Sequence, residues 1–389
     1  MTANPLRSVG LTAYDEASPR TCDDADSRPW ASEPLHSAAE PSAAVDKNLL
    51  VASLQGHLAD LRNTLDSAAA LMSWLDEPPA AAATAAIHRF ASRHVPRWHF
   101  PMLNDEERNQ AFATALSQQV RPGDHVLDIG SGSGLLAMLA IQAGAARVTS
   151  CEADPLLAAV ARQVIQHNGF SDVITVIPVR STDLEVGRDL AEPADLIVTE
   201  IVDCGLIGEG MLPTLRHAKQ RLLKPGGRLV PQAARVAGAV LCCPSARRLN
   251  SVQGTLGLDL GAMNNLSTPG HFPLRLDTWP HTLLSEQVEI FRMDLVAEPL
   301  IDGSRVLRLP ITESAIADGL VAWFELELAE GVTLNNAPAN AGSHWMQAYL
   351  PFASPCPVIA GQQLVVEVCW RDLQLSATPL ASHSIEGSR

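Results

Sequence analysis

Lysine is almost missing from this 389-residue chain: Lys47, Lys219 and Lys224 are the only three. Lys and Arg together number 28 against 43 Asp and Glu, a formal net charge of −15. So few cations exclude broad nucleic-acid binding, which needs a basic face to displace phosphate counterions. The same balance suits a cationic small molecule or a basic segment of a partner. No apolar run of about eighteen residues is present, so no transmembrane span and no membrane partner are expected. The stretch Met1–Asp26 lacks a basic segment followed by an apolar one, so no secretory signal is expected either. Seven cysteines (Cys22, Cys151, Cys204, Cys242, Cys243, Cys356, Cys369) form no Cys-x-x-Cys. That pattern predicts free thiols in a reducing cytoplasmic setting and no structural metal.

What is present is a globular composition, 47% apolar, long enough for about two domains. Residues 1–44 mix Pro, Ser, Ala and acids without apolar periodicity and read as a loosely ordered tail. The region 45–94 is helical: Leu50, Leu54, Leu58, Leu61, Leu65, Met72 and Leu75 recur at helical spacing until Pro78-Pro79 stops the pattern. The stripe predicts a packing face, against the main body or a second copy of the chain.

Over 95–230 the sequence alternates β-rich runs (His125–Ile129, Arg147–Glu152, Val173–Ile177, Leu196–Glu200) with helical stretches (Leu135–Gln142, Pro155–Asn168, Met211–Leu223). This predicts an α/β domain with a parallel, Rossmann-like sheet. Beyond Val230 the expected strands Val236–Leu241, Glu286–Leu295, Ala322–Leu328 and Gln363–Trp370 lie between Pro/Gly/Asn turns. Residues 231–389 therefore read as a mostly antiparallel β-barrel or sandwich, with 250–280 projecting as an arm.

The first run leads into Asp128-Ile129-Gly130-Ser131-Gly132-Ser133-Gly134, where glycines permit tight turning and close approach to a ligand. Glu152 ends the second run, 24 residues after Asp128, where a carboxylate can accept from ribose hydroxyls. The loop differs from the dinucleotide fingerprint, and no Gly-Lys-Ser/Thr marks a phosphate cradle. These features, with Lys224-Pro225-Gly226-Gly227-Arg228-Leu229-Val230-Pro231, resemble class I S-adenosylmethionine-dependent methyltransferases. The fourth run delivers Glu200, and nine residues later comes Glu209 inside Gly208-Glu209-Gly210, with Asp203 between them. Two carboxylates at one sheet edge match the planar paired donors of a guanidinium. The end of that strand lacks the Asn/Asp-Pro-Pro-Tyr/Phe element expected for nucleic-acid methylation.

The Glu200–Met211 segment resembles the double-glutamate loop of protein arginine methyltransferases, above all their seventh and ninth human branches. Trp98–Arg108 resembles the family's helical segment before the core. Ser343-His344-Trp345 resembles its Thr-His-Trp loop, with Ser in place of Thr. The likeness covers about residues 95–385. It implies S-adenosyl-L-methionine as cofactor, S-adenosyl-L-homocysteine as product, and no metal. It also implies that Glu200 and Glu209 hold the guanidinium and that Arg108 pairs with the cofactor's methionine carboxylate. Asp128, Gly130, Gly132 and Glu152 would line the cofactor, with Ser181 and Thr182 at the adenine edge. His344 would pair with Asp105 to order the site or carry the released proton. Asp203, Met102 and Trp345 would face the substrate, and His99 is a further candidate lining residue. The third acid, Asp203, is shared with the monomethylating branch, so Nω-monomethylarginine is the expected product. The family works as a two-module ring, so this single-module chain is expected to form a homodimer through the arm. Arginine in a protein, free L-arginine and another guanidino metabolite all remain open as substrates, as does a non-catalytic binding module.

Overall fold

The computed structural model describes residues 47–73, 80–297, 299–371 and 373–380; the expected tail 1–44 lies outside them. Helix α1 (Lys47–Met72) carries the leucine stripe, but none of its residues is buried. Its stripe therefore does not pack on the main body, contrary to one of the two expected placements; Leu75 falls outside the described residues. Helices α2 (Ala80–His94), α3 (His99–Leu103) and α4 (Glu106–Gln119) lead into the first domain.

That domain runs β1 (His125–Ile129), α5 (Leu135–Gln142), β2 (Arg147–Cys151), α6 (Pro155–His167), β3 (Ile174–Ile177), β4 (Ala194–Thr199), α7 (Met211–Arg221) and β5 (Leu223–Val230). All pairings are parallel, in the order β3-β2-β1-β4-β5. The Lys224–Gly227 turn is absorbed as a break in register within β5, where Ala194 faces Leu223 but Leu196 faces Arg228. β1 is buried at every position, as a central strand covered on both faces should be. The chain reverses its winding between β1 and β4, so a crevice opens at the carboxyl ends of these two strands.

The second domain holds β6 (Ala233–Cys242), α8 (Pro244–Arg247), β7 (Gly254–Thr255), β8 (Leu258–Asp259), β9 (Phe272–Leu274), β10 (Thr282–Leu283), β11 (Val288–Asp294), β12 (Gly303–Pro310), β13 (Ala315–Ala329), β14 (Val332–Asn335), β15 (Gln347–Val358), β16 (Gln363–Arg371) and β17 (Gln374–Pro379). A seven-stranded antiparallel sheet, built on β10-β6-β13-β15-β9, faces the sheet β12-β16-β17. β15 lies beside β17 and β11 beside β12, giving a barrel-like enclosure. The expected strand Ala322–Leu328 is the end of the much longer β13, whose Ala315–Gly319 portion has too little apolar periodicity to stand out. Helix α4 packs against β13 and β14, and one continuous core joins the two domains.

The arm is shorter than expected. β7 and β8 form an exposed hairpin turning at Leu256 (φ 53°) and Gly257 (φ 78°), a pairing of positive φ values suited to a tight hairpin. Leu256, Leu258, Met263 and Leu266 stand in solvent. From Phe272 onward the chain returns to the sheet, pairing with β15, and Leu274 and Leu276 are buried.

Candidate active site

The crevice is a cleft of about 690 Å³ over the ends of β1, β2 and β4. One side is the glycine loop. Gly130, Gly132 and Gly134 all have positive φ, a region other residues enter only with strain. A Cβ on Gly130 would lie 2.8 Å from Ile201, whereas at Gly132 nothing of the protein stands within 4 Å. The Gly132 backbone thus borders open cleft. Glu152 lines the same wall: one carboxylate oxygen accepts from Gly132 N–H and the other from Asp154 N–H, both at 2.9 Å. Ser131 Oγ is buried without a hydrogen-bond partner among the described residues. Ser181 and Thr182 line the far end. A glycine cradle, an unpartnered hydroxyl and a carboxylate at the second strand fit a nucleoside cofactor.

The opposite wall carries the acids. Glu200 follows β4, and its carboxylate pairs with Arg108 from α4, both side chains being almost fully buried. Burial pushes the Glu200 carboxyl up, opposed by the Arg108 charge. Arg108 lies 5.2 Å from the centre of the Phe112 ring and donates to Asn109 at 2.8 Å. Glu209 opens to solvent at the cleft. Although its side chain reaches solvent, desolvation by the surrounding cleft walls, and after it the like charges of Glu200 and Asp203, push its carboxyl up to about 7.

Of the residues singled out in the sequence, Met102, Arg108, Gly130, Gly132, Glu152, Ser181, Thr182, Glu200 and Glu209 share this one cleft, and His99 lines it too. Five do not. Asp128 is wholly buried behind the glycine loop and accepts from Ser150 Oγ at 2.7 Å, because strand register sets the two side by side. Burial raises its carboxyl to about 7. Asp203 turns away from the cleft toward the β domain. Trp345 is packed against Phe324 and donates from Nε1 to the Val202 carbonyl at 3.0 Å, so it braces the acid loop from behind. Asp105 and His344 do pair, at 2.8 Å, but behind Arg108 and off the cleft wall.

Asp105 caps α4, accepting from Arg108 N–H at 2.9 Å and from His344 N–H at 3.0 Å. Burial alone would raise its carboxyl, but the hydrogen bonds from Arg108 and His344 outweigh that and hold it below the ordinary value. Burial pushes the His344 imidazole down despite Asp105, which favours its neutral form. Asp105 thus ties the helix carrying Arg108 to the β domain, a positioning role.

Several contributors are invisible in sequence. His94, Pro96 and Leu373 complete the cleft, the last from the β16–β17 connection with φ 68°. Asn336 Nδ2 donates to Cys204 O at 3.0 Å and Met346 O at 2.7 Å, linking the acid loop to the Ser-His-Trp loop. Arg275 donates to the Ser343 and His344 carbonyls, each at 3.2 Å. The nearest usable signal was the absence of side chains at Gly205 and Gly208, which marks a loop packed closely from below.

The ribosomal protein L11 methyltransferase (PrmA) family model matches residues 110–231, and that of the arginine methyltransferase oligomerization subdomain matches residues 245–376. An arginine N(omega)-methyltransferase of Streptomyces achromogenes subsp. streptozoticus is 50% identical over 327 residues, covering 84% of this chain and 90% of that relative. Protein arginine N-methyltransferase 9 of Xenopus laevis is 31% identical over 349 residues, covering 79% of this chain but 42% of that protein. The Trypanosoma brucei PRMT1 enzyme-prozyme complex with AdoHcy superposes with a TM-score of 0.63 at 22% identity, over 75% of this chain and 95% of that one, a likeness of fold. With 50% identity over 327 residues, along nearly the whole of one relative, on this two-domain fold, the chain belongs to the protein arginine methyltransferase family.

Proposed function

We propose that this enzyme uses S-adenosyl-L-methionine to methylate a terminal guanidino nitrogen of free L-arginine, giving Nω-monomethylarginine. The observation that carries the reaction class is the convergence of Glu200 and Glu209 on one cleft wall, facing the glycine cradle. When bound, the cofactor supplies a sulfonium methyl group open to nucleophilic attack.

The chain's own residues do the rest. Gly130, Gly132 and Glu152 hold the nucleoside, Ser181 and Thr182 flank the adenine, and Arg108 meets the methionine carboxylate. Glu200 and Glu209 draw the guanidinium charge toward themselves, leaving lone-pair density on the nitrogen aimed at the methyl group. Fixing that line of attack supplies much of the acceleration. Cytoplasmic residence is part of the same reading. The exposed Leu256, Leu258, Met263 and Leu266 support self-association of two copies through the arm.

Free arginine is favoured over protein arginine by the relatives. The one this chain matches along 90% of its length is named for arginine alone, and the animal protein methyltransferase is spanned for less than half. The test is incubation with labelled cofactor and either free L-arginine or an Arg-Gly peptide, read by mass spectrometry. Label on arginine with one methyl per molecule is expected. Label on the peptide alone returns the enzyme to protein substrates, and label on neither removes the arginine reading.

A further inference from the structure

The acid expected to face the substrate, Asp203, has a different set of partners. Oδ1 accepts from the backbone N–H of Gly208 at 2.8 Å and of Gly205 at 3.2 Å, both in the loop that ends in Glu209. Oδ2 is 2.6 Å from His271 Nε2, and His271 belongs to the β domain just before β9. The His271 side chain is 4% exposed, and its Nδ1 accepts from Leu375 N–H at 3.0 Å. An Nδ1 that accepts leaves the ring proton on Nε2, so the imidazole donates to Asp203.

The loop is built around this pair. A Cβ on Gly205 would lie 2.4 Å from His271 Nε2, and one on Gly208 would lie 2.3 Å from Asp203 Oδ2. Leu206 between them is held at φ 79°, with its N–H on the Asp203 carbonyl at 3.1 Å. A non-glycine residue in that conformation persists only where its surroundings over-determine it. Leu375, on the far side of the imidazole, is two residues from Leu373, which lines the cleft near Gly210.

We propose that Asp203 and His271 form an inter-domain clamp that positions Glu209: the β domain fixes His271, His271 fixes Asp203, and Asp203 holds the Gly208 peptide from which Glu209 springs. Asp203, Cys204 and His271 also lie close enough together to suggest a metal site, their candidate ligand atoms falling within 4.8 Å of one another. The tautomer argues otherwise, because Nε2 carries the proton it gives to Asp203 and has no lone pair to offer.

The clamp rests on the reading of Glu209 as a guanidinium holder, and it is tested in the full-length enzyme. Asp203→Ala and His271→Ala should each lower kcat by about tenfold to a hundredfold, the scale of a misplaced reacting group. Cofactor affinity by calorimetry, and the fraction of molecules that bind cofactor, should be unchanged. Because both act through one contact, the double variant should be no slower than the worse single variant. His271→Gln, which can still donate to Asp203, should restore most of the activity. Asp203→Asn, which keeps an acceptor for the Gly208 amide, should be milder than Asp203→Ala and serves if the alanine variant fails to fold.

A substrate-binding Asp203 gives the opposite pattern: a raised KM with kcat kept, and His271→Ala without effect. That pattern overturns the clamp, as does stoichiometric zinc retained by the purified enzyme and lost in His271→Gln. If the unaltered enzyme methylates no guanidino compound, it is the parent reading that fails.

Discussion

The acid limb of the pH profile should report Glu209. To hold a guanidinium its carboxyl must be ionised, and its surroundings push the pKa up to about 7. At pH 6 about one-tenth of the free enzyme then carries the charge, and at pH 8 about nine-tenths, so kcat/KM for L-arginine should climb about tenfold across that interval. The guanidinium of the substrate contributes no limb of its own, since it stays protonated throughout. Burial pushes the His344 imidazole below its ordinary value, away from this interval. The assay is initial rate against subsaturating arginine, with saturating cofactor and constant ionic strength, from pH 5.5 to 8.5. In kcat the limb should sit at lower pH, because a bound cation favours the carboxylate. Asp203 is one of the charges that raise Glu209, so Asp203→Asn should carry the kcat/KM limb to lower pH as well. A flat profile between pH 6 and 8 refutes the assignment, and a limb unmoved in Asp203→Asn transfers it to another group such as buried Asp128, whose carboxyl also stands at about 7.

Two further outcomes follow from the same geometry. Glu200→Gln should reduce turnover by about a hundredfold to a thousandfold, the effect of removing one preorganised charge-stabilising group, while calorimetry shows cofactor still bound. Asp105→Ala should cost about 0.5–2 kcal/mol for the lost helix cap, read as a lower melting temperature. Asp105 sits below its unfolded value of 3.8, so its ionisation supports the fold fully above that pH. The support is lost as pH falls through the lower folded value. The variant's stability should accordingly respond less to acid than that of the unaltered protein.

The first domain was legible because its chemistry is local. A glycine run after a buried strand, a carboxylate ending the next, and two glutamates flanking a glycine-rich turn are features of short segments, and Gly130, Gly132, Glu152, Glu200 and Glu209, so identified, meet in one cleft. What short segments do not show is direction. Asp128 and Asp203 lie within a few residues of the cleft in sequence, yet one faces Ser150 and the other His271. Side-chain facing depends on strand register and on a partner 68 residues away, and neither is written in the neighbouring sequence. In sequence His271 falls within the expected arm, because Asn250–Pro280 is long for a hairpin connection. Its role depends on β9 joining β15, a non-local pairing of three residues. The leucine stripe of α1 was legible as a helix, but periodicity does not say what covers it.

Arg108 is a single cation with two claimants. Its guanidinium is on Glu200, and the methionine carboxylate is proposed to seek the same group. Whatever share the cofactor takes leaves Glu200 that much less neutralised, and so more attractive to an incoming guanidinium. Thermodynamic linkage makes the effect mutual: arginine, by occupying Glu200, frees Arg108 for the cofactor. The two ligands should therefore strengthen each other's binding by one common factor, a cooperativity within one subunit that needs no movement of either domain.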